Sequence, residues 1–108
     1  MRKTSLFFAS LFFAAISGTT ASAQLPGEEC SSLSLDQCVS DAVGLIGDEA
    51  SLPRAVAMLR HACNRSHGEG CRTLGTLFML GRGVRREPER AAIMFGSACD
   101  AGSVRGCY

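Results

Sequence analysis

The chain has 108 residues with eleven basic and ten acidic side chains, a formal net charge of +1, and six cysteines. This near-balanced charge argues against a nucleic-acid-binding protein, which would present a large basic excess. The length allows one small domain with a limited core, which secreted proteins usually supplement with disulfides.

The N-terminal 23 residues have the pattern of a secretory signal peptide. Two basic residues, Arg2 and Lys3, precede an apolar run at residues 6–16, and Ala21-Ser22-Ala23 precedes Gln24. The run is about half the length that a membrane-spanning helix requires. An uncleaved anchor is the alternative, but we predict cleavage after Ala23, a secreted or periplasmic protein and no stable membrane anchor.

Charge is unevenly distributed in the remaining chain. Six acidic residues come before Arg54, and nine arginines against four acidic residues follow from that position onward. This pattern indicates a dipolar molecule whose basic end could meet an acidic partner. Ordinary solvated helix faces are the alternative explanation.

One segment of the chain occurs twice. Residues 55–71 recur 36 positions later as residues 91–107. Six residues are identical between the copies: Ala55, Met58, Ala62, Cys63, Gly70 and Cys71 return as Ala91, Met94, Ala98, Cys99, Gly106 and Cys107. A fixed period of this length is typical of stacked helical hairpins. We therefore predict an all-α fold, a short tandem αα-hairpin solenoid similar to tetratricopeptide repeats.

Apolar spacing predicts the helices of each copy. The first helix carries Ala55, Met58, Leu59 and Ala62 on one face, and the second copy repeats this face with Ala91, Met94, Phe95 and Ala98. Ser51 and Glu87 are the expected N-caps, each with a proline in the following turn. A partner helix is expected to begin near Cys71, after a turn containing Gly68, and to end at Gly81; Gly102 is expected to stop the second helix.

The units are expected to be incomplete at both ends. Residues 24–37 form an N-terminal segment in which the first cysteine pair starts, 38–70 a degenerate first unit, 71–106 a second unit, and 107–108 the start of a third. The helix expected after Cys107 is missing, which would leave the face around Phe95 uncovered. That face could form a homodimer through the C-terminal helix or bind a partner, whereas a truncated gene or a Tyr108 terminus that covers the face is the alternative.

The motifs together resemble the Sel-like repeat family, and the C-x7-C spacing is similar to its secreted cysteine-rich branch. The residues that carry this resemblance are Ala62-Cys63, Gly70-Cys71, Leu74-Gly75, Gly81-x-Gly83-Val84 and Ala91, then Ala98-Cys99 and Gly106-Cys107. In such hairpins the cysteines would pair as Cys30 with Cys38, Cys63 with Cys71, and Cys99 with Cys107. Each disulfide would close a nine-residue loop worth about 2.5 kcal/mol.

Stacked hairpins curve into a superhelix whose inner surface binds peptides or folded partners, so we expect an interaction scaffold with a protein or peptide partner. Residues expected to point away from the packed face of the partner helix, and so to contact a partner, are Arg72, Thr73, Thr76 and Met79. Plain solvent-facing positions are the alternative for these residues. No cofactor is expected.

Two chemical alternatives follow from the residues and the resemblance. His61, Cys63, His67 and Cys71 form H-x-C-x3-H-x3-C, a ligand set for zinc or copper, but the second copy has Ser97 and Ser103 in place of both histidines. The cysteine-rich branch also includes penicillin-binding proteins and weak β-lactamases. A Ser-x-x-Lys motif requires a lysine, and the sequence contains none after Lys3, so the catalytic residues of such an enzyme stay unknown.

Overall fold

The structure, a computed structural model, describes residues 28–108, and the predicted signal peptide with its cleavage site lies outside them. Within that range the chain forms helices and turns with no strand, so the prediction of an all-α fold is confirmed. The four α-helices are α1 (Leu35–Leu45), α2 (Leu52–Asn64), α3 (Gly68–Leu80) and α4 (Pro88–Asp100). Short 3-10 turns cover Glu28–Ser32, Glu49–Ser51 and Val104–Cys107.

Helices α2 and α4 have the same length and begin 36 residues apart. Each has a proline at its N-terminus, where the missing N–H has no intrahelical partner to lose. Ser51 and Glu87 occupy the N-cap positions as predicted, but neither side chain accepts a capping hydrogen bond. The Ser51 hydroxyl instead donates to Asp48 Oδ2 at 2.7 Å, because the preceding 3-10 turn brings that carboxylate within reach.

Helix α3 begins three residues earlier than the sequence analysis predicted. Gly68, which was expected in the turn, is its first residue, because His67 caps the helix by accepting a hydrogen bond from the Gly70 N–H at Nδ1. The predicted end is confirmed: Gly81 adopts φ +69°, a left-handed conformation that favours glycine. Imidazole capping is less common than capping by a hydroxyl or carboxylate, so the early start was missed.

One apolar cluster takes side chains from all four helices. Phe78 of α3 and Met58 and Leu59 of α2 are its largest fully buried side chains. Helix α3 packs against α2 and α4, while α1 packs against α2, so α3 has neighbours on more than one side. Its buried arc is consequently wider than one helical stripe.

Candidate functional site

Three disulfides join the cysteines as the three C-x7-C pairs. Cα–Cα distances are 5.3 Å for Cys30–Cys38, 4.5 Å for Cys63–Cys71 and 4.7 Å for Cys99–Cys107. Two of these bonds connect a helix end to the first turn of the following segment, α2 to α3 and α4 to the final 3-10 turn. Three disulfides in a chain of this size indicate an oxidising compartment.

The metal-ligand alternative does not fit the arrangement of these side chains. The sulfur atoms of Cys63 and Cys71 are bonded to each other, so neither is a thiolate ligand. His61 lies beside Arg65, whose guanidinium is 3.3 Å from His61 Nδ1. His67 uses Nδ1 for the helix cap. Within residues 28–108, no group of three or more histidine, cysteine or carboxylate side chains is placed to hold a metal ion.

His67 connects α1 to α3 through both of its ring nitrogens. Because Nδ1 accepts from the Gly70 N–H, the neutral ring carries its proton on Nε2, which donates to Asp36 Oδ1 at 2.6 Å. Residues 36 and 67 are distant in the sequence, so this bond depends on the packing of the two helices. With both nitrogens engaged, the imidazole has no free lone pair to act as a general base.

Glu69 makes a second polar connection, from α3 to the last turn of the chain. Its Oε1 accepts from the Ser103 hydroxyl at 3.1 Å, and its Oε2 accepts from Arg72 Nε at 3.0 Å. The hydrogen bond from Arg72 is the largest influence and lowers the pKa of Glu69. Partial burial opposes this shift, whereas the Ser103 hydrogen bond and the charges of Arg72 and Arg105 reinforce it.

A shallow cavity of about 450 Å³ lies beside these polar contacts, lined in part by Asp36, His67, Glu69, Ser103 and Arg105. The Ser103 hydroxyl donates to a carboxylate instead of facing a base, and the imidazole of His67 is fully engaged. The cluster therefore positions three segments of the chain and does not form a nucleophile–base pair.

The predicted contact residues of α3 differ in exposure. Met79 is 38% exposed, Arg72 and Thr76 are half-buried, and the Thr76 hydroxyl donates to the Arg72 carbonyl at 3.1 Å. The prediction that Thr73 points away from the packed face is wrong, because this residue is only 8% exposed. The prediction assumed a single buried stripe, whereas α3 is packed by neighbours on more than one side.

The face of α4 that was expected to be uncovered is mostly packed. Ala91 and Ala98 are fully buried, and Met94 and Phe95 are half-buried. This face packs on α3 at Gly75, where a built Cβ would lie 3.0 Å from Phe95 Cε1. Ile93 is the large apolar residue of α4 that is exposed to solvent, with 63% of its surface accessible.

A basic groove above Phe78 was not predicted from the sequence. The guanidinium carbons of Arg60 and Arg90 lie 5.6 Å and 5.5 Å from the centroid of the Phe78 ring. The two arginines come from α2 and α4, on either side of α3 in sequence. The lining residues of this cavity of about 240 Å³, which we call the Phe78 groove, are Arg60, Asn64, Leu74, Phe78, Arg90 and Met94.

The sequence contains one weak indication of the Phe78 groove. Its lining residues are spaced four apart on each helix: Arg60 and Asn64, Leu74 and Phe78, and Arg90 and Met94. Spacing within a helix does not reveal which faces of three helices meet. Arg72, Thr73, Thr76, Met79 and Phe95 do not line this groove, whereas Met94, from the α4 face predicted to bind a partner, does.

None of the helices within residues 28–108 is long and apolar enough to cross a membrane. Comparison of the chain with protein-family models, with curated proteins and with solved structures found no match.

Proposed function

We propose that this chain is an exported member of the Sel-like repeat family, secreted or periplasmic, which acts as an interaction scaffold for a protein or peptide. The repeat assignment is supported by equivalences at the 36-residue period. Helices α2 and α4 match in length, and the disulfides Cys63–Cys71 and Cys99–Cys107 follow them at equivalent positions.

Close contacts between a glycine and an alanine, which occur in both copies, also support the repeat assignment. A Cβ built on Gly70 would lie 3.0 Å from Ala62 Cβ, and one built on Gly106 would lie 2.5 Å from Ala98 Cβ. These glycines let the end of one helix approach the start of the next segment in both copies. Ser66 and Gly102, also 36 residues apart, both have positive φ, at 64° and 95°.

The Phe78 groove is the observation that carries the scaffold proposal. It combines basic side chains with an apolar floor on helices that a disulfide and a buried cluster hold in place. A rigid surface of this kind binds a partner with little loss of conformational entropy. In the polar cluster, by contrast, both ring nitrogens of His67 and both carboxylate oxygens of Glu69 have hydrogen-bond partners within the chain.

Site-specific photo-crosslinking of the exported protein tests the proposal. A photo-reactive side chain is placed at Asn64 in the groove, at Arg72 on α3, and at Gly47, an exposed control position with open space around it. We expect a discrete adduct with one partner from Asn64 or Arg72 and none from Gly47. Absence of an adduct from both test positions, or turnover of a chromogenic cephalosporin by the purified protein, would contradict the scaffold function.

A further inference from the structure

The Phe78 groove has the composition of a site for an anion attached to an apolar group. Arg60, Asn64 and Arg90 supply donors around the cavity, half-buried Met94 supplies accessible apolar surface, and Leu74, which is only 3% exposed, lies beneath it. Phe78 itself is only 2% exposed, so the arginines and the neighbouring helices cover its ring. The site therefore places cations directly beside apolar surface.

The hydrogen-bond donors of the two arginines are not used within the described chain. The side chain of Arg60 makes no ion pair or hydrogen bond with another residue of 28–108, and its guanidinium contacts the Phe78 ring. Arg90 Nε lies 3.9 Å from Glu87 Oε2, which is beyond hydrogen-bond distance. Contact with a ring leaves the planar guanidinium donors available to a carboxylate.

The size and charge of the groove select among anionic partners. A cavity of about 240 Å³ is smaller than a typical drug-sized site and accommodates one acidic group and one apolar side chain. Residues 28–108 contain nine arginines, ten acidic side chains and no lysine. That balance does not favour a polyanion such as nucleic acid or an anionic membrane, which requires a broad basic surface.

We propose that the Phe78 groove binds a peptide segment of the partner that presents a carboxylate next to an apolar side chain. Arg60 and Arg90 would donate to the carboxylate, Asn64 would donate to the same group or to the peptide backbone, and the apolar side chain would lie against Met94. This inference rests on the proposed scaffold function, since it names the chemistry of the partner.

The test is a titration of isotope-labelled protein, followed by the backbone amide signals in NMR. The probe is N-acetyl-Glu-Leu-amide, and the matched probe without a carboxylate is N-acetyl-Gln-Leu-amide. We expect the first probe to shift signals at Asn64 and Arg90 and the second to bind roughly tenfold more weakly, since a hydrogen bond to a charged group contributes on this scale. Arg60→Gln and Arg90→Gln should each cause a similar loss.

Arg85→Gln is the matched control, because Arg85 is exposed and lies outside the groove. It should leave binding of the Glu-Leu probe unchanged. Equal binding of the two probes, binding that survives both groove substitutions, or no binding of the Glu-Leu probe would each overturn the inference. If Arg60→Gln lowers the unfolding temperature, Arg90→Gln alone tests the loss of binding.

Two further measurements distinguish an acidic peptide from two other anionic ligands, a free phosphate and a lipid membrane. Inorganic phosphate that binds as tightly as the Glu-Leu probe would overturn peptide recognition and indicate a general anion site. Arg60-dependent binding to phosphatidylglycerol vesicles in place of the peptide would overturn it in favour of a membrane surface. Crosslinked adducts from Asn64 or Arg72 in a protein that fails these peptide tests would leave the scaffold function standing and remove only this inference.

Discussion

Gly106 and Ala98 are in closer contact than any other residue at position 106 would permit. A Cβ built on Gly106 would lie 2.5 Å from Ala98 Cβ and 3.0 Å from the backbone nitrogen of Cys99. Real Cβ atoms do not approach other atoms so closely, and the backbone of a packed helix cannot easily move away. The closure of the last segment onto α4 therefore depends on the absence of a side chain.

Gly106→Ala should destabilise the protein by about 1–3 kcal/mol, the usual cost of overpacking a filled site. Urea unfolding of the oxidised protein measures this cost. Gly96→Ala is the matched control, because a Cβ built on Gly96 meets nothing within 4 Å in the interior of α4. We expect this control to stabilise the protein by about 0.5–1 kcal/mol. Wild-type stability of the Gly106 variant would show that the last turn does not pack as described.

His67→Ala should lower the free energy of unfolding by about 1 kcal/mol, since it removes the cap of α3. His67→Asn should recover most of this loss, because asparagine is a good N-cap residue. The bond to Asp36 should contribute less: the Asp36 side chain is 94% exposed, so Asp36→Asn should cost under about 0.5 kcal/mol. Denaturant titrations of the three variants at pH 7 measure these differences. Equal destabilisation by Ala and Asn at position 67 would contradict the capping role.

Glu69→Gln should reduce the thermal stability more at pH 6 than at pH 3. Folding lowers the pKa of Glu69 below its ordinary value of 4.5, chiefly through the Arg72 hydrogen bond. The stabilisation is therefore complete above that value and is lost as the pH falls through the folded-state pKa. The effect should be small and weakened by salt, because the Glu69 side chain is 47% exposed.

Unfolding temperatures of the wild type and the Glu69 variant across this pH range provide the measurement. Glu89→Gln, at an exposed carboxylate on α4, is the control and should change the pH dependence less. A difference between wild type and Glu69→Gln that grows toward pH 3 would contradict the stated direction of the pKa shift.

Phe95→Glu should destabilise the folded protein by about 2 kcal/mol or more, because Phe95 packs at Gly75 of α3 and its replacement puts a carboxylate there. Ile93→Glu, on the 63% exposed side chain of the same helix, should stay within about 0.5 kcal/mol of the wild type. Urea unfolding compares the two variants, and native mass measured in parallel records their oligomeric state. Full stability of the Phe95 variant would show that this face is not part of the core.

The sequence by itself determined α2, α4, the end of α3 and the cysteine pairs. Apolar residues at a helical period predicted α2 and α4, and Gly81 marked the end of α3, because these signals act within one or two turns of the chain. The C-x7-C spacing placed each cysteine pair across a short connection, where the bonded atoms are close neighbours in sequence.

Only the tertiary structure decided which helix faces are buried and which side chains meet. Thr73 is buried because α3 has neighbours on several sides, and the Phe95 face of α4 is mostly packed because it lies on α3; the period of a single helix encodes neither. His67 bonds to Asp36 across 31 residues, and Arg60 and Arg90 each contact the Phe78 ring, across 18 and 12 residues. Such contacts depend on the angles and offsets at which helices pack, and many different side chains along each helix are compatible with the same packing.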